Sequence, residues 1–151
     1  TTIQMEVFYE NRLAWEGEAV LLSRSPQEKR ATKFLPVPVE GGIPILAAAD
    51  TGRIYARASG DYNPIHLWPL SAQMMGFRRP IAHGMWTLSR DCALLKQQIE
   101  LPENLHIQAI FKRPLELPGE GRLFLDTTFS PWKATVLDAR SSAPILLLQS
   151  F

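Results

Sequence analysis

The spacing of apolar residues divides the chain into an amino-terminal hairpin and a larger second region. Alternating apolar and polar residues predict strands over 3–9 and 13–22, joined by a short turn. From 25 to 42 the alternation gives way to proline, glycine and charged residues, which is typical of a linker. We therefore assign residues 1–42 to a hairpin with a Pro/Gly-rich linker and residues 43–151 to a second domain.

One long helix is the clearest element of the second domain. Apolar residues recur at intervals of three and four from Met85 to Ile99, at Leu88, Cys92 and Leu95 between them. Three further residues broaden this stripe and predict a helix enclosed on most of its sides, namely Trp86, Ala93 and Leu94. On this interpretation Cys92 is an unreactive core thiol.

Shorter elements surround this helix in the sequence. Short helices are predicted towards Ala58 from a cap at Asp50 or Thr51, and over 69–75. Strand patterns occur over 43–48, 105–112, 122–129, 133–138 and 145–149. One enclosed helix followed by several strands predicts an α+β fold, in which a curved antiparallel sheet wraps the helix.

Composition narrows the classes of function. The chain has 151 residues with a formal net charge of +1, so neither nucleic acid nor a membrane surface is expected as a partner. A single cysteine excludes an intrachain disulfide and favours a reducing, cytoplasmic location. No apolar run approaches the length of a membrane span, and the first residues do not form a signal peptide pattern. Because the three histidines match no common ligand spacing, we expect no metal site.

The segment Ser59–His66 carries the candidate chemistry. Gly60 permits a positive φ and Pro64 fixes its own, so the segment forms a turn that can bring Asp61 and His66 together. A carboxylate and an imidazole that converge on one water form a general acid/base pair. Taken alone, however, the segment favours an Asx-type turn with a surface histidine.

A second block favours the catalytic interpretation. Ile81-Ala82-His83-Gly84-Met85 follows the turn and opens the long helix, with Ala72 and Gly76-Phe77 between the two blocks. Together these residues resemble the signature of the MaoC-like, or (R)-specific enoyl-CoA hydratase, family. The resemblance is strongest over about 54–95, and its two separated blocks make it specific. It implies a hot-dog fold, which agrees with the α+β arrangement above.

The resemblance also implies roles for individual residues. In such enzymes an Asp and a His hold the water that adds across the 2,3 double bond of an enoyl thioester, and here these are Asp61 and His66. Gly84 occupies the oxyanion-hole position at the helix start, where a backbone N–H lacks an intrahelical acceptor. Asn63 is expected to brace the turn and His83 to support the site. The implied product is an (R)-3-hydroxyacyl thioester, with dehydration as the reverse reaction.

Substrate contacts are less specific in the sequence. Trp68, Met75 and Trp86 are candidates to line an acyl pocket, although core residues have the same composition. Arg78 and Arg79 are candidates for the phosphates of coenzyme A, although a solvated pair on a loop is the commoner case. Trp68 also stands where many family members carry an acidic residue.

The expected partners are an acyl-CoA or carrier-protein thioester as substrate and a second copy of the chain as a homodimer. No separate cofactor is expected. Residues 1–42 resemble the tail of a preceding hot-dog repeat, as in two-repeat relatives. Two alternatives stay open: a hot-dog thioesterase, which would use a differently placed carboxylate, and a non-catalytic acyl-binding or subunit module. The intact Asp61 and His66 argue against both.

Overall fold

The computed structural model describes residues 2–20, 40–101, 105–128 and 132–150. The chain separates into two compact units, Thr1–Lys33 and Phe34–Phe151. The linker predicted over 25–42 lies almost entirely outside the described residues, so a domain boundary at residue 42 stays a prediction.

The amino-terminal unit contains the predicted hairpin. Strand β1 (Thr2–Tyr9) pairs antiparallel with β2 (Arg12–Val20), and the register shifts between Val7 and Phe8. Glu10 and Asn11 make the turn with φ of 48° and 60°. Two consecutive positive φ values give the turn a twist that matches the strands it joins. The described part of β2 ends at Val20, and the predicted extension to residue 22 lies outside the described residues.

The second unit contains a five-stranded antiparallel sheet. Its strands are β3 (Ile43–Ala47), β4 (Ile107–Phe111), β5 (Gly119–Asp126), β6 (Lys133–Asp138) and β7 (Pro144–Ser150), in the spatial order β3-β5-β6-β7-β4. Strands β5, β6 and β7 are neighbours both in the sequence and in the sheet, so they form a meander. The flanking strands β3 and β4 join it from opposite edges, an order that the sequence pattern did not specify. Alternation along the central strands sets the core, with Leu123, Val136 and Leu146 fully buried.

The predicted helices are all present. They are α1 (Thr51–Ser59), α2 (Pro69–Met74) and the long α3 (Gly84–Gln98), with one 3-10 turn over Pro64–His66. An α+β fold with one long helix against an antiparallel sheet is therefore confirmed. Within the described ranges, no helix combines the length and the apolarity needed to span a bilayer.

The buried face of α3 differs from the predicted stripe. Thr87, Asp91 and Leu95 are its buried residues, whereas Met85 is 56% exposed. Trp86 and Leu88 are partly buried against the core, and Cys92 is partly buried. Thus the expectation that the helix is enclosed on most sides was wrong for this chain. The reason is that α3 packs against one sheet and leaves its other side exposed, and two of its buried positions, Thr87 and Asp91, lie one residue away from the apolar spacing.

Candidate active site

A close backbone contact fixes the turn that carries the predicted acid/base pair. Gly60 ends α1 with φ of 77°, and its N–H bonds to the carbonyl of Ala56 at 2.8 Å. Gly52 lies in the first turn of α1 and faces the carbonyl of His66, where a Cβ added to the glycine would lie 1.9 Å from that oxygen. Only glycine permits this approach. Sequence reasoning missed Gly52, although a glycine in the first turn of a helix is a usable signal of close packing.

Local hydrogen bonds hold the turn itself. The Asp61 side-chain Oδ1 accepts from the Asn63 N–H at 3.1 Å, and Asn63 Oδ1 accepts from the Ile65 N–H at 3.4 Å. The Asx-type turn considered as an alternative is therefore present. The histidine, however, is not on the surface, because His66 is only 7% exposed. Asn63 makes the backbone contact that a bracing residue would make.

Two histidines stack beneath Asp61. The rings of His66 and His83 lie 3.7 Å apart with an interplanar angle of 26°. His83 Nε2 is 3.0 Å from the backbone oxygen of Asp61 and 3.8 Å from its Oδ2. Asp61, His66 and His83 each have one oxygen or nitrogen atom that could ligate a metal, and these three atoms lie within 4.8 Å of one another. The structure therefore brings together three residues that the sequence separates by up to 22 positions.

The hydrogen bonds define which nitrogen of each ring carries the proton. His66 Nδ1 lies 2.8 Å from the backbone oxygen of Ile81. Because a carbonyl only accepts, His66 Nδ1 is the donor, and in the neutral ring Nε2 has a free lone pair. By the same argument His83 donates through Nε2 to Asp61, and its buried Nδ1 has no hydrogen-bond partner among the described residues. His66 thus presents an unprotonated nitrogen.

Burial also affects the charge of His66. It lowers the pKa of the ring below 6.5, opposed in part by the hydrogen bond to Ile81. The nearby His83 lowers the pKa further, and Asp61 raises it. Because the net effect lowers the pKa of His66, the ring is neutral near pH 7, and the neutral ring is the form that can accept a proton.

A cavity of about 270 Å³ opens beside His66. Gly84, the first residue of α3, and Phe111 at the end of β4 share its wall with Thr87 and Ile145. A Cβ on Gly84 would lie 3.1 Å from the Phe111 ring, so the glycine keeps the helix start open beside that ring. Sequence reasoning missed Phe111 and Thr87, because strand and helix periodicity alone does not indicate which residues face a cavity.

The remaining predicted residues lie elsewhere. Trp68 and Met75 are exposed by 55% and 59%, and Trp86 packs partly buried against the core. None of these three belongs to the described cavity wall, and their assignment to an acyl pocket stays a prediction. Arg78 lines a neighbouring cleft, whereas Arg79 does not.

The three convergent donors are also the set that a cation would use. Their mutual separations fall within 4.8 Å, a range that includes the roughly 3.3 Å between the donors of a tetrahedral zinc ion. The expectation of no metal site stays untested.

Comparison with known proteins gives a consistent result. The model of the MaoC-like domain family matches residues 24–113. The chain is 32% identical over 94 residues to 3-hydroxyacyl-thioester dehydratase X of Mycobacterium tuberculosis, covering 62% of this chain and 33% of that protein. It is 36% identical over 76 residues to the (R)-specific enoyl-CoA hydratase of Aeromonas caviae, covering 50% of this chain and 43% of that protein. The chain thus spans less than half the length of these curated relatives.

Solved structures agree on the fold. The crystal structure of HtdX from Mycobacterium tuberculosis superposes with a TM-score of 0.70 and 26% identity, covering 96% of this chain and 56% of that one. The structure of the (R)-hydratase of A. caviae superposes with a TM-score of 0.63 and 24% identity, covering 77% of this chain and 94% of that one. The predicted hot-dog fold is confirmed.

Proposed function

This chain belongs to the MaoC-like domain family, and on that premise we propose that it hydrates 2-enoyl thioesters to (R)-3-hydroxyacyl thioesters or catalyses the reverse dehydration. The observation that carries the proposal is the convergence of the Asp61 carboxylate and the His66 ring, which keeps one nitrogen unprotonated, beside an open cavity. The relatives named as a hydratase and a dehydratase support the same reaction class.

The spacing of the two groups suits one shared water. Hydrogen bonds to water are about 2.8 Å long, so a single water can bridge two atoms up to roughly 5.6 Å apart. A carboxylate oxygen of Asp61 and a ring nitrogen of His66 lie within 4.8 Å of each other. A water held in this way approaches the substrate from one side, which supports addition of its oxygen to C3 and of a proton to C2 from the same face.

Each group then has one proton transfer to carry out. We assign His66 Nε2 to take the proton from the attacking water, because its Nδ1 is already committed to Ile81. In hydration the acid form of Asp61 gives its proton to C2 and then recovers a proton from the protonated His66, so that one water is added and no net proton is gained or lost. As water is added and no electron is transferred, the reaction needs no redox cofactor. The thioester carrier is part of the substrate.

Gly84 is the proposed stabiliser of the thioester oxygen. Negative charge develops on that oxygen as water attacks C3. Gly84 is the first residue of α3 and lines the same cavity as His66. Its N–H has no intrahelical acceptor, and the positive end of the helix dipole favours an anion there. The absence of a side chain leaves this N–H accessible.

An assay with crotonyl-CoA separates the proposal from its alternatives. Loss of enoyl-thioester absorbance without release of thiol supports hydration. Release of free thiol indicates a thioesterase, and neither change indicates a non-catalytic acyl-binding module. Chiral analysis of the product completes the test, because an (S)-3-hydroxyacyl product would contradict the proposed stereochemistry.

We also propose that the functional unit contains two hot-dog units, with a second copy of this chain as the partner. Strands β3 and β4 form the edges of the described sheet, and an edge strand is a template for pairing. Ile110 and Phe111 on β4 are 41% and 49% exposed, and Phe111 also lines the cavity. Light scattering tests this proposal together with activity measured across dilution. Full activity of a monomer at nanomolar concentration would contradict it.

A further inference from the structure

A second cleft adjoins the cavity at His66. It has a volume of about 400 Å³, and its charged lining residues are Arg78, Arg113, Arg140, Glu116, Glu120 and Asp138. The cleft and the cavity share Arg113, Pro114 and Ile145 as wall residues. A ligand whose reacting end lies at His66 can therefore extend past these shared residues into the cleft.

Two of the three carboxylates are engaged within the protein. Glu120 Oε1 lies 2.6 Å from Arg122 Nη2 in an ion pair. Asp138 Oδ1 accepts from the Arg140 N–H and from the N–H and hydroxyl of Ser141, at 2.8–3.1 Å. These bonds hold the β6–β7 turn and reduce the capacity of both carboxylates to neutralise the arginines of the cleft.

In contrast, the guanidinium groups of Arg78 and Arg140 are available to bind a ligand. Neither has a hydrogen-bond or ion-pair partner within 40–101, 105–128 and 132–150, and both residues are exposed. Glu116 is the remaining exposed carboxylate, so Arg78, Arg140 and Glu116 leave one net positive charge facing solvent. Two such guanidinium groups that line one cleft suit an oxyanion, because their planar forks bind phosphate oxygens in pairs.

We propose that this cleft binds the phosphate of the phosphopantetheine arm that carries the acyl thioester, with Arg78 and Arg140 as its ligands. The inference rests on the proposed function, since it places the thioester at His66. Coenzyme A and acyl carrier proteins both present this phosphate on the same arm, so the chemistry recognised is common to both. The uncharged pantetheine segment then passes Arg113, Pro114 and Ile145.

The test compares three crotonyl thioesters on the purified full chain. Crotonyl-pantetheine lacks the phosphate, crotonyl-phosphopantetheine contains it, and crotonyl-CoA adds the nucleotide. We expect kcat/KM to rise about tenfold or more from the first to the second, because hydrogen bonds to charged groups are strong. In the double variant Arg78→Ala/Arg140→Ala this gain disappears through KM, since the lost contacts bind ground state and transition state equally. Activity on crotonyl-pantetheine stays unchanged, because that substrate has no phosphate for the two arginines to bind.

Matched variants sharpen the test. Arg57→Ala removes an exposed arginine on α1 outside the cleft and keeps the full phosphate gain. Arg78→Lys retains part of the gain, because the charge remains without the fork. Crotonyl-carrier protein is then compared with crotonyl-CoA: equal loss in the double variant supports recognition of the shared phosphate.

Two results overturn the inference. One is an equal loss on all three substrates, which marks Arg78 and Arg140 as structural. The other is a gain confined to the step from phosphopantetheine to coenzyme A, which assigns the arginines to the nucleotide instead. Failure of the proposed function is distinguishable from both, because none of the three thioesters is then hydrated by the unmodified protein.

Discussion

Two aspartates of this chain stand in opposite environments. Asp61 lies on an irregular turn, its side chain is 54% exposed, and its Oδ1 and backbone oxygen both accept hydrogen bonds. Asp91 lies inside the regular helix α3, is fully buried, and neither carboxylate oxygen has a partner among the described residues. A carboxylate that handles protons must reach the substrate, whereas a buried one without partners mainly costs stability.

The comparison separates two effects of one residue type. Burial raises the pKa of Asp91 to about 7, opposed slightly by the charge of Arg90. A strongly perturbed carboxyl often indicates a functional site. Here geometry decides otherwise, because Asp91 is absent from the cavity wall that holds His66 and Gly84. We therefore assign the chemistry to Asp61 and a stability effect to Asp91.

The first prediction tests whether Asp61 and His66 carry out the chemistry. Asp61→Asn and His66→Gln are each expected to lower kcat/KM for crotonyl-CoA by about 10²–10⁴-fold, since each removes one general acid or base. Asn at 61 can still accept from the Asn63 N–H, so the turn is kept while the charge is lost. Steady-state kinetics with circular dichroism measures both effects. Asp50→Asn, an exposed carboxylate outside the site, is the control, and near-normal turnover in either site variant rules out the assignment.

The second prediction tests the effect of Asp91 on the stability of the fold. The unfolded chain ionises Asp91 near 3.8 and the folded chain near 7, so the folded state binds more protons between these values. Stability is therefore lost as pH rises from about 4 to 7, by roughly 4 kcal/mol from 1.36 kcal/mol per pKa unit. Asp91→Asn removes this dependence.

Urea unfolding of the unmodified protein and of Asp91→Asn at pH 4.5, 6 and 8 checks this prediction. The difference in unfolding free energy between Asp91→Asn and the unmodified protein should be smallest at pH 4.5 and largest at pH 8. Other titrating groups cancel in the difference because both proteins share them. A difference that does not change with pH would mean that Asp91 has the same protonation state in the folded and unfolded chains.

The same contrast explains what could be predicted from the sequence. The turn around Asp61 contains Gly60 and Pro64, whose backbone restrictions are visible in the sequence, so its irregular shape was predictable. The burial of Asp91 was not predictable, because apolar spacing places the buried stripe of α3 at Leu88 and Cys92, whereas the structure buries Thr87 and Asp91. Contacts between elements, rather than periodicity within one, decide that difference.

Long-range contacts within the site were also beyond sequence reasoning. His66 and His83 were predicted to lie in one site through the family resemblance, but their stacking and their carbonyl partners depend on the packing of the turn against the segment before α3. The sheet order has the same cause. Strand β3 pairs with β5 and β4 pairs with β7 across intervening elements, and alternation along a strand contains no information on its partner.

The third prediction concerns the backbone contact that supports the Asp61 turn. In Gly52→Ala the new Cβ would meet the His66 carbonyl oxygen at 1.9 Å, and a backbone atom cannot rotate away. We expect a loss of about 1–3 kcal/mol in unfolding free energy and a lower kcat, because His66 is displaced. Gly41→Ala is the control, since its Cβ meets nothing within 4 Å and only backbone strain at φ of 77° remains. Equal kcat in the unmodified protein, Gly52→Ala and Gly41→Ala would show that the contact between Gly52 and the His66 carbonyl does not position His66.

The last prediction concerns the smallest contact behind the site. Arg53 Nη1 donates to the carbonyl of Leu67 at 3.0 Å, and its guanidinium lies 4.2 Å from the centre of the Trp68 ring. This pair links α1 to the residues that follow His66, at the position where relatives were expected to carry an acidic residue. A partly exposed cation–π contact contributes about 0.5–1 kcal/mol. A double-mutant cycle with Arg53→Met and Trp68→Leu should give a coupling of that size in unfolding free energy. The hydrogen bond to Leu67 is lost in both variants that lack Arg53 and cancels in the coupling. A coupling near zero would leave that hydrogen bond, and not the ring, as the contact through which Arg53 supports the turn.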